Sequence, residues 1–126
     1  MDEEEPDVVA ALREEGLSLG RPGIWTDPDQ EVGVAVHVSG LFVGWLDVAW
    51  PHPTTPAAVL KGIVHVAEPR DERSRADLRA QLRRARKQRT RLLRVCSTCG
   101  ESVVPGLMHE KDLCQACAER DRGVVH

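Results

Sequence analysis

Four cysteines are the residues of this chain whose types and spacing can do chemistry. They stand as two pairs, Cys96-Ser97-Thr98-Cys99 and Cys114-Gln115-Ala116-Cys117, with fourteen residues between them and no other cysteine in the sequence. Two such knuckles can close a tetrahedron of thiolates around Zn²⁺ at about 2.3 Å per bond. The usual interval between the pairs is about 15–20 residues, so this one lies at the short edge. Four thiolates complete the coordination shell and leave no place for water, so the expected zinc is structural, not catalytic. His109 lies inside the interval and is expected to be a solvated loop residue, not a ligand. A redox pair of the thioredoxin kind would need a strand–helix–strand setting, which the sequence around Cys96 lacks.

Nothing else in the chain reads as catalytic. There is no nucleophile elbow, phosphate-binding glycine loop or paired-carboxylate motif, and the chain is expected not to be an enzyme. Asp47 has no partner at readable spacing and is expected at a sheet edge or facing solvent. His37, His52 and His65 are too dispersed to make a metal site.

The second chemical signal is basic. The net charge of −3 hides a segregation. Residues 1–69 hold twelve acidic side chains against three basic ones, a balance of −9. Residues 70–94 hold eleven basic against three acidic, or +8, and residues 95–126 balance at −2. Asymmetry of this kind predicts either a polyanion partner or an acidic–basic contact within the protein. Arg75, Arg79, Arg83 and Arg86 follow at i, i+4, i+8 and i+11 on one helical face, and Arg84, Lys87, Arg91 and Arg94 extend a neighbouring one. Together they can neutralise several phosphates of a nucleic acid. The basic segment holds no aromatic residue on which single-stranded bases would stack, so duplex DNA is the favoured form, with structured RNA beside it. An acidic protein surface is the alternative partner. The acidic start, five carboxylates in the first seven residues, reads as a solubilising terminus or as a competitor for the same arginines.

Those groups need elements to position them. Residues 7–16 predict a short helix stopped by Gly16, and the turn chemistry of Gly20–Gly23 and Asp27–Asp29 predicts a loop over 17–30. Val32, Val34, Val36 and Val38 alternate with smaller or polar residues, a strand that Ser39-Gly40 turns into a second run, Leu41 to Trp50, ended by Pro51 and Pro53. Three tryptophans around this hairpin read as core. Thr54 or Thr55 before Pro56 predicts a short helix over 56–62, and residues 63–67 a third strand. From Asp71 to Val95 neither Gly nor Pro interrupts a run rich in Arg, Ala, Leu and Gln, which predicts one long helix. Leu78, Leu82, Ala85 and Leu92 mark its narrow apolar stripe, which can pack on the N-terminal unit or on a second copy of the chain. The fold class expected is therefore α+β. It comprises an N-terminal α+β unit over 1–69, a basic connecting helix over 70–94 and a four-cysteine zinc finger over 95–126.

Within the finger, Gly100 follows the first knuckle, Pro105 lies in the middle segment, and the second knuckle opens a helix. That order of parts describes a treble clef. Residues 94–122 resemble the C-terminal zinc module of the DksA/TraR family on Cys96, Cys99, Gly100, Pro105, Cys114 and Cys117. The resemblance implies a structural zinc and work on RNA polymerase. It covers less than a quarter of the chain. The family's coiled coil with an acidic tip has no counterpart here, where a basic helix and a β-containing unit stand instead.

The acidic terminus lacks the basic and apolar regions of a signal peptide, and no apolar run reaches the roughly 20 residues needed to span a bilayer. Fourteen Arg against three Lys points to a GC-rich bacterial or phage genome. The chain is thus expected to be a cytoplasmic, zinc-binding regulatory protein that contacts nucleic acid or the transcription machinery, or else a protein–protein adaptor.

Overall fold

The computed structural model describes residues 7–20, 23–52, 55–110 and 112–122. Helix α1 (Asp7–Glu14) leads into five strands, β1 (Ser18–Leu19), β2 (Ile24–Thr26), β3 (Val32–His37), β4 (Gly40–His52) and β5 (Thr55–Val66). The long helix α2 (Glu72–Leu92) follows. The C-terminal part holds β6 (Arg94–Val95), β7 (Ser102–Val103), a 3-10 turn at Pro105–Leu107, β8 (Met108–Glu110), β9 (Leu113–Cys114) and α3 (Gln115–Arg122). The architecture is α+β, with one five-stranded sheet in the order β1-β2-β3-β4-β5.

Two compact units emerge that run across the sequence segments instead of along them. A sheet unit comprises the chain up to Leu46 together with Leu60–Gln88, and a finger unit comprises Asp47–Val59 together with the chain from Arg89 onward. The β4–β5 hairpin thus contributes its root to one unit and its tip to the other.

In the sheet unit, alternation along β3 and β4 sets the core. Val32 pairs with Trp45, Val34 with Val43 and Val36 with Leu41, so these side chains share one face. Val32, Val34, Leu41 and Val43 are fully buried, and Trp25 and Trp45 nearly so, whereas Trp50 is half-buried and leaves the core position expected of all three tryptophans. Leu12 of α1 and Leu78, Leu82 and Ala85 of α2 are buried with them. Leu92, the fourth member of the stripe, is 43% exposed and leaves the pattern. Burying a large aliphatic side chain is worth about 1.5–3 kcal/mol, so these few positions carry the unit. Glycines admit the closest approaches. A Cβ at Gly44 would stand 2.5 Å from the carbonyl oxygen of Lys61, and one at Gly40 equally close to that of Val66.

Several expectations are corrected. The loop over 17–30 contains β1 and β2. Their turn at Gly20–Gly23 is a hairpin turn, closed by Gly20 N–H on Ile24 O and Gly23 N–H on Gly20 O, both at 2.9 Å. The open edge of β3 recruits β2 through Trp25 opposite Val34, which local turn signals could not reveal. The helix over 56–62 is instead part of β5, because β4 requires a partner along its length and tertiary pairing overrides the local capping signal. Pro51 does not end β4, which continues to His52. Pairing with β3 stops at Trp45, so a missing N–H at position 51 on that side costs no ladder bond. The acidic residues 2–5, Pro53 and Thr54 lie outside the described residues. No helix among the described residues is long and apolar enough to cross a membrane.

Helix α2 begins with a reciprocal cap. Asp71 Oδ1 accepts the Ser74 N–H at 2.9 Å, and Ser74 Oγ accepts the Asp71 N–H at 3.0 Å. These bonds from the Ser74 amide and hydroxyl hold the Asp71 carboxyl below its usual 3.8. A depressed folded value means stability that is present above 3.8 and lost as the pH falls through the lower folded value. Asp71→Ala is therefore expected to lower the melting temperature at neutral pH. The gap to the parent should close as the pH drops below 3.8. A gap independent of pH would show that the carboxylate's charge is not what caps the helix.

Candidate metal centre

The finger builds its site from two short ladders and a helix. Arg94 pairs with Val103 and Val95 with Ser102, which frames the first knuckle. Within it Gly100 takes φ +76°, a left-handed turn that lets its N–H reach Cys96 O at 2.8 Å. The β8–β9 hairpin then delivers Cys114 to the start of α3, where Cys117 follows one turn later. Knuckle, hairpin and ligand-bearing helix occur in treble-clef order, with two short ladders where the sequence suggests one hairpin.

All four sulfurs lie within 4.8 Å of one another. Cys96 Sγ is 3.7 Å from Cys117 Sγ, and Cys99 Sγ is 3.9 Å from Cys114 Sγ. A disulfide would need about 2.05 Å. A tetrahedron with metal–sulfur bonds of about 2.3 Å has edges of roughly 3.8 Å. The donor set and its spacing thus fit one tetrahedral ion of the zinc type. His109 stands outside this cluster. It is a half-buried residue of β8 and not the solvated loop residue expected.

Hydrogen-bond donors reach two of the four sulfurs. Cys114 N–H points at Cys96 Sγ at 3.4 Å, and Arg120 Nη2 donates to Cys117 Sγ at 3.2 Å. The backbone N–H groups of Cys114 and Cys99 hold the Cys96 thiol down to about 6. Burial, then the neighbouring sulfurs, push Cys117 up to about 12. Without a cation the four thiols cannot all ionise together; a divalent ion relieves that conflict. The cluster's own core is small, formed by Leu113 and Ala118 with Val103 and Met108 packed against it.

A clamp within the same unit orients the middle segment. Asp47, far from solvent-facing, is 2% exposed. Its Oδ1 accepts the N–H of Gly106 at 2.8 Å and that of Val48 at 2.7 Å. Trp50 Nε1 donates to Gly106 O at 2.8 Å. Both backbone groups of Gly106 are therefore held by β4. The sequence signal is Gly106 itself: any Cβ there would collide with the carbonyl oxygen of Val48.

The eight basic residues divide. Arg75 pairs with Glu14 and Arg79 with Glu15, both at 3.0 Å. Arg86 reaches Asp27 at 3.4 Å and Glu31 at 3.3 Å. Arg84 donates to Gly62 O at 3.0 Å. Arg83, Lys87, Arg91 and Arg94 are exposed and form no ion pair among the described residues. Asp27, Asp29 and Glu31 also cluster, but Asp27 Oδ1 accepts the N–H groups of Glu31 and Val32, and Arg86 pairs with Asp27 and Glu31. Phe42 gathers His37 and His65, at ring separations of 5.9 and 5.1 Å, so the sheet brings together two histidines that the sequence disperses.

No protein-family model, no curated protein and no solved structure matches this chain.

Proposed function

We propose that the chain is a zinc-binding regulatory protein that contacts nucleic acid or the transcription machinery through the exposed part of its basic helix. The observation that carries this reading is the division of the arginines. Arg75, Arg79 and Arg86 are neutralised within the sheet unit. Arg83, Lys87 and Arg91 recur every fourth residue along α2 with no acidic partner among the described residues, and Arg94 follows them. Exposed cations at helical spacing suit a phosphate backbone. The order of parts in the finger supports a zinc module of the DksA/TraR kind, with Zn²⁺ as the ion. Its role is structural, since four thiolates leave no position for a substrate.

One observation favours a second reading, an adaptor that docks an acidic protein surface. The helix already recognises carboxylates at Glu14, Glu15, Asp27 and Glu31 within its own chain.

A salt series with zinc-loaded protein and random-sequence duplex DNA separates the two. Counterion release gives a log–log slope of about −0.9 per phosphate, so four contacts predict roughly −3.6. Changing Arg83, Lys87, Arg91 and Arg94 to Gln is expected to flatten the slope. Changing Arg75, Arg79 and Arg86 to Gln should leave the slope and lower stability slightly, since exposed ion pairs are worth about 0–1 kcal/mol each. Absence of salt-dependent binding would overturn the nucleic-acid reading.

A further inference from the structure

Four thiolates around one divalent ion leave a loaded centre with two negative charges. The finger offers little to offset them, since residues 95–126 already balance at −2 with the thiols neutral. The cost falls hardest on Cys117. It is 1% exposed, and burial followed by the neighbouring sulfurs pushes its thiol up to about 12. A charge taken out of water without a counter-charge is expensive. Arg120 brings one, donating from Nη2 to Cys117 Sγ at 3.2 Å. Cys96, the other fully buried sulfur, is served by backbone: the Cys114 N–H points at it at 3.4 Å, and main-chain amides hold its thiol down to about 6. Helix α3 makes the Arg120 contact by spacing alone, because residues three apart are neighbours on a helical surface. The second knuckle thus carries its own cation, one turn beyond its last ligand.

We infer that Arg120 is a positioning residue of the metal centre: its guanidinium holds the Cys117 thiolate on the ion and offsets one of the two negative charges of the loaded site. The inference rests on the metal-binding reading and deepens it, giving a role to a residue outside the ligand set. Groups that hydrogen-bond to metal ligands are typically worth 10–100-fold in affinity. Arg120 is an exposed residue, so solvent screens its charge and the effect belongs at the low end, about tenfold. The amide that serves Cys96 cannot be removed by substitution, whereas the Arg120 side chain can, which makes this arm of the site open to direct test.

The test uses the full chain with Zn²⁺ in chelator competition, for affinity, and with Co²⁺, whose thiolate-to-metal charge-transfer band reports the electron density on sulfur. Arg120→Gln is expected to weaken zinc binding about tenfold. It should also move the cobalt band to longer wavelength, since a sulfur that loses a donor gives up its electrons more readily. Arg120→Lys keeps the charge and is expected to fall between Arg120→Gln and the parent in both readouts. Arg, Lys and Gln are all good helix formers, so propensity does not produce this order. Arg120 also stands in the last turn of α3, where any cation favours the helix, but loss of that effect would leave the band in place. Weaker binding with an unmoved band therefore overturns the inference, and so does Arg120→Gln equal to the parent in both readouts. Should Arg120→Gln take up no metal at all, rescue by Arg120→Lys supports the inference and absence of rescue overturns it. A parent chain that takes up neither ion overturns the metal-binding reading itself.

Discussion

Changing any one of Cys96, Cys99, Cys114 or Cys117 to Ser is expected to release the metal and unfold the finger while the sheet unit stays folded. The apolar material around the sulfurs is slight: Leu113 and Ala118 are buried, with Val103 and Met108 half-buried beside them. At about 25 cal/mol per Å² so small a core cannot offset the ordering of some thirty residues at about 1–2 kcal/mol each. Metal binding in small thiolate modules adds about 10–16 kcal/mol of folding free energy, far more than these few side chains contribute. Elemental analysis should show one zinc per chain in the parent and little in the variants. Limited proteolysis should cut within 94–122 only in the variants or after chelation. Cys99 is the one exposed ligand, so Cys99→Ser should be the mildest of the four. A finger that resists protease with its metal removed would mean that packing alone holds it, and the metal's structural role would fall.

Gly106→Ala is expected to damage the same unit through backbone geometry alone. Its methyl group would enter the space of the Val48 carbonyl oxygen and crowd Asp47 Oδ1 at 2.7 Å. The backbone of β4 cannot yield as a flexible side chain would, so the 105–107 turn must leave its seat. Overpacking typically costs about 1–3 kcal/mol, and here two hydrogen bonds go with it, from Gly106 N–H to Asp47 and from Trp50 to Gly106 O. Asp47→Ala should approach the same loss by another route, leaving the Gly106 and Val48 amides without their acceptor at about 1–3 kcal/mol for each buried group. Chemical denaturation of zinc-loaded protein measures both, and zinc affinity should fall with stability. An alanine at 106 that left stability and zinc affinity untouched would show that the clamp does not position the finger.

Much of this protein is legible in one dimension because its signals are local. The Cys-x-x-Cys pairs announce a metal site, since each knuckle is a four-residue object whose chemistry does not depend on distant chain. Helix α2 follows from a run free of Gly and Pro, and the β3–β4 hairpin from alternating valines around Ser39-Gly40. The misreadings have a common cause. Ser18–Leu19, Ile24–Thr26 and residues 55–62 lie among turn and cap residues, yet they are strands because β2, β3 and β4 offer them unpaired backbone. Asp47 reads as exposed because its partner, the Gly106 N–H, lies fifty-nine residues away.

Charge shows the same division. Composition alone determined that residues 70–94 are basic and residues 1–69 acidic. It could not sort one arginine from the next, because helical periodicity places Arg75, Arg79, Arg83 and Arg86 on a common face. The fold sorts them by bringing Glu14, Glu15, Asp27 and Glu31 to three of the four and leaving Arg83 in solvent. Likewise the four sulfurs follow from spacing, but the clamp on Gly106 does not, since Asp47, Trp50 and Gly106 share no motif and meet through β4 and the 105–107 turn. Ligand type and helix propensity are properties of neighbouring residues and survive in the sequence. Which carboxylate meets which guanidinium, and which side chains hold Gly106, depends on chain closure over tens of residues, and only the tertiary structure decides it.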